Sequence, residues 1–398
     1  MRHITSAVLV AVVCGCTNES PLTQPPNASA NLVSTPSYRI VEFPASLGGT
    51  VSRGTSINGR GLVAGFSNQP GNLTRHAAVW REGAITDLLT LGGENSSVVW
   101  PGLNERGTVV GVAETADLDP YNEEWSCSAF FPTVTHHICR GFIWEEGAMH
   151  PLPGLGGDNS FATGVNNRGQ VVGWAETEVH DPTCNSPQVL QFRAVVWEPG
   201  KERKRELRPF PGDSTSAATA INDRGQVVGI SGDCDVAVGE FSARHAVLWQ
   251  GDQVIDLGNL GGMWWHTPMD INPRGDVVGF SDPPGDQNGG FIAQAFIWTQ
   301  AAGIQPIHTL AGDPFSEALA INNRRQVVGV SFGGANGSRA FLWQDGVLSD
   351  LNSLVAGGSS DVLQSAQDIT EDGRITGRVR QAATGQVVMF IAYPIDTP

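Results

Sequence analysis

From about residue 37 onward, short apolar runs alternate with clusters of Gly, Asn, Asp and Pro. The clearest example begins Ala318-Leu-Ala-Ile-Asn322, short and alternating. It continues with Gln326-Val-Val-Gly-Val-Ser331, compact and β-branched, and Ala340-Phe-Leu-Trp343, apolar on both faces. It closes with a segment ending Asp350-Leu351. Each run predicts a strand. Between the first two strands lies Asn-x-Arg-x, with Gly in the last place of most copies. Asn at the first turn position and Gly after the central pair fit a type I turn closing with a bulge. Arg325 stands in that Gly place and is expected at positive φ, at a cost of roughly 1 kcal/mol. Four short strands joined this way make an antiparallel meander. One such sheet cannot cover both of its faces, so it must stack on copies of itself.

The copies are marked by the turn Asn at Asn58, Asn104, Asn166, Asn222, Asn272 and Asn322, with Thr370 in the last. The Trp ending the third strand follows at Trp80, Trp144, Trp197, Trp249, Trp298 and Trp343, with Ala392 in the last. The seventh copy runs out before its fourth strand. Ser37–Phe43, followed by Leu47-Gly-Gly49, looks like the fourth strand and Leu-Gly-Gly of Ile255–Gly262. The expectation is an all-β, seven-bladed β-propeller of four-stranded antiparallel blades over residues 37–398, its ring closed by the N-terminal strand completing the last blade. An open solenoid would leave both end sheets bare.

Residues 1–15 read as an export signal: Arg2 and His3, then the short apolar core Ile4–Val13, too short to span a bilayer. Gly15 before Cys16 resembles a bacterial lipobox, which predicts lipidation of Cys16. Cys14 departs from that pattern, and an ordinary secretory signal is the alternative. Residues 16–36, rich in Pro, Ser and Asn, read as a disordered tether. The expected location is exported, as a lipoprotein of the outer membrane or cell surface or in the periplasm. The membrane would be touched only through the lipid.

Net charge is −16, from 24 basic and 40 acidic residues, which argues against a nucleic-acid partner. Cys127, Cys139, Cys184 and Cys234 fall between the second and third strands of their copies, and an exported chain permits disulfides. Cys127–Cys139 would close a loop within one blade and Cys184–Cys234 would tie neighbours; other pairings are open. No Cys-x-x-Cys spacing supports zinc. The longest loops of this class, Asp117–Cys139 and Glu176–Gln191, should build up one face, the usual place for function.

The ordered set Leu260-Gly-Gly262, Asp270-Ile-Asn-Pro-Arg-Gly-Asp-Val-Val-Gly-Phe-Ser281 and Ala295-Phe-Ile-Trp298 resembles the HAF-type extracellular repeats of bacteria. The resemblance covers essentially the whole chain after residue 36. It implies an exported, repeat-built protein of unknown molecular activity and brings no catalytic residues. Pro211-Gly212 departs from the Leu-Gly-Gly pattern.

Gly65, Gly111, Gly173, Gly229, Gly279, Gly329 and Gly377 recur in the second strand, where close approach by another group is expected, with the third-strand Trp as the covering group. Arg60, Arg106, Arg168, Arg224, Arg274 and Arg324 should ring the face opposite the long loops. They would be solvated, paired with Asp87, Asp256 or Asp350, or offered to an anionic partner. Asp158, Asp213 and Asp313 either cap turns or hold Ca²⁺. Trp100, Met263, Trp264, Trp265 and His266 are the ligand-binding candidates. They would stack on sugar rings, anchor a protein partner or pack across the axial channel. His136, His137 and the His180-Asp181 pair lack ligand spacing. No Gly-x-Ser-x-Gly, His-Glu-x-x-His or phosphate loop occurs. The expectation is a monomeric, non-enzymatic binding or scaffold module, with no catalytic residue, metal or cofactor, that takes an unknown protein or glycan on its decorated face. The alternative is a carbohydrate-binding or carbohydrate-active propeller.

Overall fold

The structure is a computed structural model describing residues 36–43, 46–123, 129–200, 203–235, 239–285 and 290–395. The expected leader, tether, Cys16 and Cys127 lie outside them.

Seven four-stranded antiparallel blades form a ring. Blade 1 runs Ser52–Ile57, Val63–Asn68, Arg75–Arg81, Ala84–Asp87. Blades 2 to 6 begin at Gly92, Gly156, Thr215, Thr267 and Phe315 and repeat that order. Blade 7 takes Val362–Ile369, Ile375–Arg380 and Val387–Ile395 from the C-terminal part, and its outer strand, Ser37–Phe43, from the N-terminal part. Val41 pairs with Ile391 and Phe43 with Met389, so both ends of the repeat region share one sheet. First strands of neighbouring blades contact one another from blade 3 round through blade 7 to blade 1, and line the axis there.

The turns take the predicted form. In blade 1, Gly61 N–H donates to Asn58 O at 2.9 Å, and Gly61 sits at φ +78. Arg325 occupies the same place at φ +57. Each turn Asn also acts across the ring. Asn58 Nδ2 donates to Asn104 O, Asn104 to Asn166 O, and so on to Asn322, which donates to Thr370 O, at 3.0–3.2 Å.

The strand glycines are crowded as expected, but not by Trp. A Cβ on Gly65 would lie 1.9 Å from Arg53 O, and one on Gly173 1.9 Å from Phe161 O. The cause is a bulge in the first strand, between Gly54 and Ser56 in blade 1, which pushes that carbonyl against the glycine. The third-strand Trp residues lie between blades instead. Trp197 Nε1 donates to Pro153 O and Trp249 Nε1 to Arg208 O, each in the connection that leaves the preceding blade. Cys184–Cys234 ties the loops of blades 3 and 4. Cys139 is also disulfide-bonded, and it lies in the third strand of blade 2, not in a loop. No helix among the described residues is long and apolar enough to cross a membrane.

Candidate functional site

The two ends of the axial channel differ in chemistry. At the turn end, a recess of about 200 Å³ is lined by Glu105, Asp223, Asp270, Asp368 and Glu371. These acids are committed to backbone. Gly59 N–H donates to Glu105 Oε1 at 2.9 Å and Asn167 N–H to Asp223 Oδ1 at 2.7 Å. Asp270 Oδ2 accepts from Ile321 N–H at 2.9 Å and Asp368 Oδ2 from Ile57 N–H at 2.8 Å, so each clips the next blade. Desolvation pushes Asp270 up to about 7 and Asp368 up to about 6.

The six predicted arginines are all exposed at this end, as solvated turns would have them, and some also bond to neighbouring turns. Arg106 bonds to Asn167 O, and Arg274 Nη1 donates to Asn323 O at 3.1 Å, lacing one turn to the next. Arg168 bonds to Gln170 Oε1 of its own turn at 2.7 Å, with its guanidinium against Gly225 of the next. The acids expected to pair with them are engaged elsewhere: Asp87 with His76, Asp350 with Arg339, and Asp256 with the Gly258 N–H.

At the loop end, the residue five before the turn Asn sets the character of the wall. In blades 2, 3 and 4 it is Val99, Phe161 and Ala217, which join Trp100, Trp174 and Ile230 in one apolar cluster. Phe130 and Phe131, from the 117–139 insertion, close over it. Trp100 meets Phe130 and Phe161 edge-on, both at 5.3 Å. Blades 1 and 6 put Arg53 and Glu317 at that position. Blade 7 puts Arg378 after its strand glycine, where the other blades carry Phe66, Val112, Trp174, Ile230, Phe280 and Val330. Blades 6, 7 and 1 are neighbours in the ring, so three charged departures from the repeat fall on one arc. That arc meets the aromatic wall of blades 2–4 where blade 1 adjoins blade 2.

Arg75, opening the third strand of blade 1, completes the group. The Arg53 and Arg75 guanidinium carbons lie 4.9 and 4.1 Å from the Phe66 ring centre, in cation–π contact. Arg53 Nη2 donates to Val99 O at 3.2 Å and Arg75 Nη1 to Phe130 O at 3.0 Å. All four charged residues are half-buried, and the Nε atoms of Arg53, Arg75 and Arg378 are buried without a hydrogen-bond partner. Desolvation, then Arg378 and Arg75, pushes Arg53 down to about 9; desolvation pushes Arg75 down to about 10. Desolvation raises Glu317 to about 7 and outweighs the pull of Arg378 and Arg53.

The residues singled out in the sequence lie around this mouth with unequal exposure. Trp100 is buried, part of the channel packing. Met263 is 52% exposed. Trp264 is half-buried, edge-on to Phe241 at 4.6 Å and under the Arg244 guanidinium at 5.7 Å. Trp265, at φ +60, packs on Phe291. His266 is 1% exposed, with Nδ1 2.9 Å from Ser281 Oγ, and faces the interior. Asp213 bonds His245 at 2.9 Å, Asp313 bonds Arg339 at 2.8 Å, and Asp158 lies 4.0 Å from Arg140. A cation already sits against each, which suits loop anchoring rather than Ca²⁺. Among the described residues, no three His, Cys, Asp or Glu side chains are grouped to hold a metal. Arg53, Glu317 and Arg378 escaped the sequence reading because it looked for what the copies share. The signal was the reverse, a charge where other copies are apolar or small.

No family model matches the chain, and no curated protein matches it in sequence. Solved structures do. An acylaminoacyl peptidase of Pyrococcus horikoshii is similar over 89% of this chain and 53% of its own, at 13% identity and TM-score 0.50. An oligogalacturonate lyase, solved in complex with manganese, is similar over 91% of this chain and 97% of its own, at 8% identity and TM-score 0.50. The chain thus spans about half the length of the peptidase. The expectation that this chain is not an enzyme is overturned here: two enzymes carry its frame, and the lack of a familiar catalytic motif does not separate it from them. At these identities the likeness shows the fold alone and transfers no residue.

Proposed function

We propose that the protein is an exported propeller that takes a carbohydrate at the loop-end mouth of its axial channel. The observation carrying this reading is the two-sided mouth, a charged arc on blades 6, 7 and 1 adjoining an aromatic wall on blades 2–4. Sugars present apolar ring faces and polar edges, and a surface offering both kinds of contact suits them. The half-buried Trp264 and exposed Met263 on the same face add stacking area. The apolar leader, the lipobox-like Gly15-Cys16 and the Cys184–Cys234 disulfide support export, with Cys16 as the lipid anchor.

The test is a glycan array plus a polysaccharide panel scored for chain cleavage, run on wild type and on Trp264→Ala/Trp265→Ala. The expected result is selective binding, with or without turnover, that the double variant weakens. A folded wild-type protein that neither binds nor alters any glycan would overturn the reading.

A further inference from the structure

Arg53, Arg75 and Arg378 form a cationic group in a chain of net charge −16. The acid facing them is Glu317, and desolvation works against its ionised form. Half-buried cations outnumbering their anions three to one are costly unless another anion joins them. The loose ends match that expectation. The bonds described above for Arg53 and Arg75 go to neutral carbonyls, and the Nε–H groups of all three arginines have no acceptor. A guanidinium is a planar fork suited to a carboxylate, and Nε with one Nη is its usual bidentate edge. The packing of a repeat does not require charge at the Arg53 or Arg378 position, since the uncharged blades fill the first with Val, Phe, Ala, Thr or Ser and the second with Phe, Val, Trp or Ile. Charge that the fold does not need, held half-buried at a channel mouth, is the signature of a site.

Resting on the carbohydrate site proposed above, we infer that the mouth selects an acidic sugar, with Arg53 and Arg378 gripping its carboxylate and Arg75 adding positive field. Phe66 holds the Arg53 and Arg75 guanidiniums in place, so little side-chain freedom is lost on binding. The half-buried Phe130, at the edge of the apolar cluster, takes the ring.

The experiment is calorimetric titration of wild type and Arg378→Met with uronic-acid oligosaccharides, their carboxyl-reduced counterparts and sulfated neutral oligosaccharides. Methionine fills the Arg378 space without charge, and a thermal melt checks folding. Wild type should bind the uronic-acid chains and lose about tenfold or more on carboxyl reduction, the range of a lost charge-assisted hydrogen bond. Arg378→Met should show the same loss. If Arg378→Met does not fold, the wild-type comparison of acidic with reduced chains decides alone. Equal binding of the reduced chains would overturn this inference and leave the carbohydrate reading standing. Preference for the sulfate esters would overturn the carboxylate. Binding of no oligosaccharide would overturn both.

Discussion

Arg374 Nη2 donates to Gly59 O at 2.7 Å, linking the seventh turn to the first. Six turns reach their neighbour through the Asn side chain, but Thr370 has no amide to donate. Arg374 restores the link where the chain's two ends meet. A hydrogen bond from a charged donor contributes roughly 1.5–3 kcal/mol, discounted here because the bond is exposed. Arg374→Ala should therefore lower stability by about 1 kcal/mol in urea denaturation. Adding Thr370→Asn should recover part of it, because the Asn amide could reach the Asn58 carbonyl. No recovery would mean that the Asn ladder does not set the closure.

Gly65→Ala would place a methyl 1.9 Å from Arg53 O. The bulged first strand must move to admit it, at about 2–4 kcal/mol, the range for overpacking a dense interior. Because the displaced residue is Arg53, the variant should also lose affinity for acidic sugars. Chemical denaturation and titration on one preparation check both effects.

Cys184–Cys234 closes a segment of 50 residues across two blades. Removing a bridge of that span should cost about 2–4 kcal/mol, chiefly through greater freedom of the unfolded chain. Cys184→Ser/Cys234→Ser should melt lower than wild type by that measure, and reductant, which also opens the Cys139 bridge, should lower wild type at least as far. A double variant as stable as the oxidised protein would show that packing alone holds blades 3 and 4.

The raised carboxyl groups set a pH dependence. Desolvation lifts Asp270 and Glu317 to about 7 and Asp368 to about 6. Glu176 and Glu123, buried and facing each other, move in the same direction. Each holds its proton more tightly folded than unfolded. The associated stabilisation is fully present below the unfolded values near roughly 4 and is lost as pH rises through 6–8. Against its own desolvation, Asp276 is held low by hydrogen bonds from Arg325 and Asn272, and its contribution is lost at acid pH instead. The melting temperature should peak near pH 5 and fall towards pH 8. A flat or rising profile over pH 5–8, measured by calorimetry, would contradict these shifts.

The architecture was legible because it is repeated. The recurring Asn, Gly and Trp gave the blade count, and Ser37–Phe43 announced its place by resembling other fourth strands. The turn geometry could be read down to Arg325 at positive φ, since the pattern required Gly there. The first-strand bulge was not legible, because alternation looks the same with one residue inserted. Hence Trp was expected against Gly65, where the Arg53 carbonyl lies. Trp100 was legible only as either a ligand contact or channel packing, because no local signal says that Phe130 and Phe131 fold back over it. The charged arc joins residues as far apart as Arg53 and Arg378. Only ring closure makes them neighbours, and comparison of copies by consensus removes them from view.

The most direct measurement is a crystal structure of the protein soaked with a uronic-acid disaccharide. The account predicts density at the loop-end mouth, with a carboxylate within hydrogen-bond distance of Arg53 and Arg378 and the sugar ring towards the blade 2–4 aromatics. A disaccharide seated in the turn-end recess, or on an outer edge with the arginine Nε atoms still unpaired, would contradict it.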